Sequence, residues 1–221
     1  MKTRRFLVVV MVLFASAAPV WAADRATFVE SQKKLAAQGD AWAQSSLGFM
    51  YSHGQGVPQD YAEALKWYRL AAAQGNANAQ FNFGVKYFKG QGIPQDYAEA
   101  LKWYRLAAAQ GDVDAQLNIG VMHAHGHGVP QDYAEALQWF RLVAAQGLAE
   151  AQYNLGVMYL NGQGIARDEV QAYKWLDLAA ATYTAKPERD EAVKTRDSVA
   201  ARMTPAQIAE AQKLAHEWKQ Q

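Results

Sequence analysis

Three histidines alternate with small residues in the run His123-Ala124-His125-Gly126-His127. Imidazoles at this spacing can ligate zinc or copper. The chain has no cysteine, and no carboxylate lies beside the run, so nitrogen would be the whole local ligand set. A second stretch, Ser31-Gln32-Lys33-Lys34, contains Ser-x-x-Lys, the pattern that places a serine nucleophile one helical turn from a lysine. The Ser-Asp-Asn and Lys-Thr-Gly motifs that complete such a site are absent. His123, His125 and His127 therefore stand as weak metal candidates, and no catalytic residue or cofactor is expected.

A third set of side chains suits contact rather than chemistry. Trp42, Ser46 and His53 recur as Asn78, Asn82 and Lys89, then as Asp114, Asn118 and His125, then as Glu150, Asn154 and Asn161. Asparagine amides can bond the backbone or a carboxylate of an extended peptide, and the neighbouring charges would add selectivity. These twelve residues are the candidate partner-binding positions.

What positions them is a text of 36 residues repeated four times. Gly48, Gly84, Gly120 and Gly156 share one column, and Trp67, Trp103, Trp139 and Trp175 share another. A fixed period of this size marks stacked units that bury a common core only with their neighbours. The first half of each unit reads as a short helix, about 41–53 in the first copy, with Ala43, Leu47, Met50 and Tyr51 on one face. Asp40, Asn76 and Asp112 stand at its N-cap, with Leu148 in the fourth copy. The mid-helix glycine argues that a neighbouring helix passes too close for a Cβ, since glycine there costs roughly 0.5–1 kcal/mol against alanine. Gly54-Gln55-Gly56 suits a left-handed exit and a tight turn.

The second helix opens on Asp60 with Glu63 three residues on, a capping-box pattern repeated at Asp96 with Glu99 and Asp132 with Glu135. It is expected to bury Tyr61, Ala64, Leu65, Tyr68, Ala71 and Ala72, flanked by Trp67 and Leu70. Tryptophans in one column of every copy read as core rather than as a carbohydrate platform. Lys66, Arg69, Lys102, Arg105 and Arg141 read as a solvated outer face. The histidines fit the same scheme: His123 takes the column of Tyr51, Tyr87 and Tyr159, while His125 and His127 replace Lys89 and Gln91 in a variable loop. The expected fold is all-α: helix-turn-helix hairpins stacked in a right-handed solenoid, with first helices lining the concave side.

The pattern Ala-Gln-x-Asn-Leu-Gly-x-Met-Tyr (Ala151 to Tyr159), then Gly-x-Gly, Asp and Ala-x-x-Trp before an alanine run, resembles the Sel1-like repeat, a longer-looped relative of the tetratricopeptide repeat. The resemblance covers residues 40–182. It implies a scaffold for protein–protein or protein–peptide interaction. Cysteine-rich relatives associated with penicillin binding or weak β-lactamase activity supply an alternative, peptidoglycan or β-lactam binding or hydrolysis, and binding of a host protein outside the cell is a third. Copy four departs in having Ala166 for proline, Glu169 for tyrosine and Thr182-Tyr183 for Gln-Gly, as if adapted to a different neighbour.

The expected organisation is a signal peptide at 1–22, a capping half-repeat at 23–39, repeats at 40–75, 76–111, 112–147 and 148–183, and capping helices at 184–221. Lys2, Arg4 and Arg5 precede an apolar run, Phe6 to Ala18, and Val20-Trp21-Ala22 is a cleavage tripeptide. That run is shorter than the about 20 residues a bilayer span needs. Arg4-Arg5 lacks the rest of a twin-arginine motif, which favours the general export route, and no cysteine is present for lipid attachment. Cleavage near Ala22 would leave 19 Lys+Arg against 21 Asp+Glu. A chain so close to neutral, without a basic stripe, is not a nucleic-acid binder. The expected product is periplasmic or secreted, held by packing rather than disulfides, with a protein or peptide partner in the cell envelope. At the far end, Thr204-Pro205-Ala206-Gln207 reads as a capping box opening a helix whose Ile208, Ala211, Leu214, Ala215 and Trp218 close the stack.

Overall fold

The computed structural model describes residues 26–219. The expected leader, Met1 to Ala22, lies outside the described residues. Eleven helices run through the described chain, which contains no strand: α1 (26–37), α2 (Ala41–His53), α3 (Tyr61–Ala73), α4 (Ala77–Lys89), α5 (Tyr97–Ala108), α6 (Val113–His125), α7 (Tyr133–Ala145), α8 (Ala149–Asn161), α9 (Glu169–Thr182), α10 (Lys186–Ala200) and α11 (Pro205–Lys219). They form two compact units, the first ending at Gln95 and the second beginning at Asp96. No described helix is long and apolar enough to cross a membrane.

Three of the four first helices, α2, α4 and α6, start on a polar cap. Asp40, Asn76 and Asp112 accept from the backbone N–H three residues on at 2.7–2.8 Å, and Leu148 leaves α8 without a side-chain cap. Each first helix ends on a left-handed glycine (Gly54 in α2), and Asp60 N–H then donates to Tyr51 O at 2.9 Å, which closes the hairpin loop. That bond corrects the expected capping box. The Asp60 carboxylate does accept from Glu63 N–H, but the Asp60 N–H is already taken, so Glu63 pairs with Lys66 instead. A reciprocal box forms at α11, where Thr204 N–H donates to Gln207 Oε1 and Gln207 N–H to Thr204 Oγ1.

The glycine columns have two separate causes. A Cβ on Gly48 would stand 2.5 Å from the Tyr68 ring, one on Gly120 2.8 Å from Phe140, and one on Gly156 2.7 Å from Leu176. The second helix thus crosses the first at its mid-helix glycine. In the loop, a Cβ on Gly128 would meet the Tyr97 carbonyl carbon at 2.7 Å and one on Gly164 the Tyr133 oxygen at 2.5 Å. The turn of one repeat rests on the first turn of the preceding second helix.

In the first unit, α2 packs on α3 and α3 on α4, and Val29 and Ala36 of α1 form a core with Ala43, Leu47 and Met50 of α2. In the second, α5 to α9 pack consecutively, and α10 and α11 both pack on α9. Ala172, Tyr173, Leu176, Val199 and Ala211 form a core there, and the Trp175 and Trp218 rings meet edge to face at 5.0 Å with the Lys174 ammonium 4.7 Å from each. The tryptophan column is less buried than expected: Trp67, Trp103 and Trp139 are half-buried and only Trp175 is buried. Leu70, Leu106 and Leu142 are exposed, whereas Leu178 in the same column is buried in the cluster that contains Ala215 of α11.

One core position breaks the pattern. The column of Met50, Met122 and Met158 holds Lys86 in α4. Its ammonium is buried, donates to Ser52 Oγ and to Gln91 Oε1 at 2.9 Å, and lies 4.8 Å from the Tyr61 ring centre. Burial, with Lys89 nearby, lowers its pKa to about 8.

Candidate partner-binding face

The twelve candidate residues are carried by α2, α4, α6 and α8, and the helix caps hold each row in register. In the first unit Trp42 is the most exposed large apolar residue described. Ser46 is half-buried, and His53 is exposed with its ring 4.1 Å from that of Phe49. Asn78 and Asn82 come together: Asn82 Nδ2 donates to Asn78 O and Oδ1 at 2.9 and 3.0 Å, and Asn78 Oδ1 also accepts from Ser45 Oγ at 3.0 Å. Lys89 is exposed at the end of α4.

In the second unit Asp114, Glu150, His125 and Asn161 are exposed, while Asn118 and Asn154 are half-buried. Asn118 Nδ2 donates to Asp114 O at 2.9 Å, one turn back on its own helix. Asn82 and Asn118 thus each donate an amide N–H to a backbone carbonyl one turn back on their own helix. The charged residues differ between units, with Lys89 in the first and Asp114 and Glu150 in the second.

Glu150 leads to a feature the repeat text hides. Loss of surrounding water, then the Asp114 carboxylate, raises its pKa. Beside it, Tyr153, Tyr183, Pro187, Glu188 and Glu191 line a hollow of about 300 Å³. Burial first, then Glu150, Tyr153 and Glu188, push the Tyr183 phenol up to about 12, and the Tyr153 hydroxyl lies 3.4 Å from Thr195 Oγ1. Tyr183 takes the column of Gly75, Gly111 and Gly147, so its substitution was the available signal. Without that left-handed glycine, Tyr183 stays extended (φ −58°, ψ 125°) and carries the chain into α10 rather than another first helix.

The histidine run forms a ring stack. His127 lies parallel to Tyr97 at 4.7 Å and 9°, and His125 lies 5.6 Å from His127. His123 is half-buried in its tyrosine column with Nδ1 unbonded. Among the described residues no group of three or more His, Cys, Asp or Glu is arranged to hold a metal. Ser31 Oγ donates to Phe28 O at 2.6 Å, and Lys33 pairs with Glu30 at 2.8 Å. The Ser-x-x-Lys hydroxyl is thus engaged with its own helix.

Helix hairpins in fixed register, with varied side chains on one helix of each pair, define an all-helical repeat scaffold of the kind used in protein–protein interaction. The Sel1 repeat model matches residues 43–76, 77–112, 113–148 and 149–181, and the chain belongs to that family. A solved Sel1 repeat protein from Oxalobacter formigenes is similar over 86% of each chain, at 29% identity and a TM-score of 0.67. A protective antigen of uropathogenic Escherichia coli with the same repeat fold, c5321, is 27% identical over 87% of this chain and 56% of that one, at a TM-score of 0.45. No curated protein matches significantly.

Proposed function

We propose that this is an exported, non-catalytic scaffold of the bacterial envelope that binds a protein or peptide segment along the varied faces of its first helices. Export rests on the basic start, short apolar run and cleavage tripeptide of Met1 to Ala22. The observation that carries the binding reading is the second unit's acidic row. Lost hydration first, then the Asp114 carboxylate, raises Glu150, and Tyr183 links that row to a ligand-sized hollow edged by Glu188 and Glu191. Crowded carboxylates gain most from a cation, and tyrosine faces add cation–π attraction. The segment bound there is therefore lysine- or arginine-bearing, with its backbone within reach of the Asn118 and Asn154 side chains.

The test is capture of partners from envelope extract by the chain beginning at Ala23, identification by mass spectrometry, and titration of the partner found. Glu150→Gln with Glu188→Gln and Glu191→Gln should weaken binding at least tenfold, about 1.4 kcal/mol, and flatten its salt dependence. Lys102→Ala with Arg105→Ala, on the opposite side of a second helix, should change little. Equal affinity in the acidic triple variant would remove this reading.

A further inference from the structure

Among the described residues, four of the seven exposed large apolar ones lie on the first two helices. Phe28 and Leu35 of α1 are 47% and 43% exposed, and Trp42 and Phe49 of α2 are 66% and 40% exposed. Their columns explain the grouping. Phe28 and Leu35 take the columns of Ala64 and Ala71, which are fully buried in α3, the helix that crosses α2 at Gly48 and Tyr68. Trp42 and Phe49 take the columns of Asn78 and Val85 in α4, and Asn78 is hydrogen-bonded to Ser45 of α2. All four therefore face the position, relative to α1 and α2, that α2 itself fills relative to α3 and α4. Among the described residues no helix fills it.

Residues 5–17, which stand 36 positions before 41–53, lie outside the described residues.

We infer that the α1–α2 face is a homodimer interface, on which a second copy of the mature chain docks symmetrically. A twofold interface must meet its own image, and the four residues that α1 and α2 present there, Phe28, Leu35, Trp42 and Phe49, are all uncharged. The nearby Glu30 and Lys33 of α1 neutralise each other at 2.8 Å. A partner chosen by charge would find nothing to read on this face. The area also fits. With about 150–250 Å² per large side chain, the exposed fractions amount to on the order of 400 Å² of apolar surface per copy, within the roughly 300–600 Å² of a monomer's largest, often functional, patch. If about 60% of the interface is apolar, each copy buries roughly 700 Å², near the about 800 Å² per partner of a standard interface.

The chain from Ala23 onward contains every described helix, so its sedimentation equilibrium tests the proposal. It should be dimeric at about 100 µM, well above the micromolar limit for weak interfaces of this size. Trp42→Glu and, separately, Leu35→Glu should raise the dimer dissociation constant at least tenfold with unchanged far-ultraviolet circular dichroism. Phe28→Ala, which adds no charge, provides a second reading should the glutamate variants fail to fold, and should weaken the dimer at least threefold. A monomer at that concentration overturns the proposal, as does a dimer indifferent to all three variants. A monomer whose Trp42 fluorescence shifts on adding a peptide of residues 5–17 also overturns it and makes the leader the occupant.

Discussion

The side-chain amide of Gln146 donates to Oε1 of the buried Gln116 at 3.0 Å, thirty residues earlier in the chain. Gln116 in turn donates from Nε2 to Ala108 O at 3.3 Å, at the end of α5. One glutamine thus ties the ends of two second helices to the first helix between them. The first unit repeats the arrangement, with Gln74 donating to Gln44 at 2.7 Å and Gln44 to Ala36 O at 3.1 Å. In copy four the donor's column holds Thr182, whose hydroxyl turns back to Leu178 O, and the buried Oε1 of Gln152 has no partner.

Restoring that donor should stabilise the second unit. Thr182→Gln should add about 0.5–1.5 kcal/mol, the net worth of one hydrogen bond, and raise Tm by a few degrees in a chain of this size. Gln116→Leu should cost about 1–3 kcal/mol, because it removes two hydrogen bonds at once, to Ala108 O and from Gln146, while Ala108 O keeps only the Gly111 N–H. Thermal melts of both variants decide it, and an unchanged Tm in Thr182→Gln means its side chain does not reach Gln152.

The mid-helix glycine makes an independent test. Gly120→Leu should lower stability by about 1–3 kcal/mol through overpacking, because a Cβ already stands 2.8 Å from Phe140 and 3.2 Å from Trp139 Cβ. The helix-propensity gain from replacing glycine, about 0.5–1 kcal/mol, works in the opposite direction. A Tm unchanged or raised by the substitution would refute close crossing as the cause of the glycine column.

The chain beginning at Ala23 should neither hydrolyse nitrocefin above buffer nor form a covalent adduct with fluorescent penicillin. Ser31 Oγ donates to Phe28 O on its own helix, and the Ser-Asp-Asn and Lys-Thr-Gly motifs are absent from the sequence. A stoichiometric adduct that disappears in Ser31→Ala would overturn the scaffold reading in favour of β-lactam chemistry.

The repeat text carried most of this architecture because each column answers one local requirement. A cap position needs Asp or Asn, a left-handed exit needs glycine, and a crossing needs no Cβ. Single exceptions were harder to read. Met to Lys in the column of Lys86 shows only that one copy differs, and its consequence depends on Ser52 in the preceding copy. The hollow was marked by Tyr183 in a glycine column, but Glu188 and Glu191 reach it only because α10 folds back onto α9. The exposed face at Phe28 and Trp42 was masked for another reason. The half-repeat reads as a solubilising cap from Lys33 and Lys34, yet those lysines occupy the solvent columns rather than the open one.

Lys86 also gives the protein a distinctive pH profile. Its pKa is lowered from the ordinary 10.5 to about 8, so between those values the unfolded chain binds more protons than the folded one. Stability contributed by this group must then rise with pH through that window, and below about pH 8 the full cost of a buried ammonium is present. The shift corresponds to about 3 kcal/mol. The buried phenols act in the other direction. Tyr68 and Tyr104 are raised well above the usual phenol range by burial, so the stability they contribute holds below about pH 10 and is lost as the unfolded chain ionises. Urea midpoints should therefore climb from pH 7.5 to about 9.5 and fall beyond it. Replacing Lys86 by the methionine of its column, together with Ser52→Ala to avoid an orphaned hydroxyl, should raise stability at pH 7 by about 1–3 kcal/mol. The same double variant should abolish the climb while leaving the alkaline fall in place. A climb that survives in it would show that Lys86 is not its source.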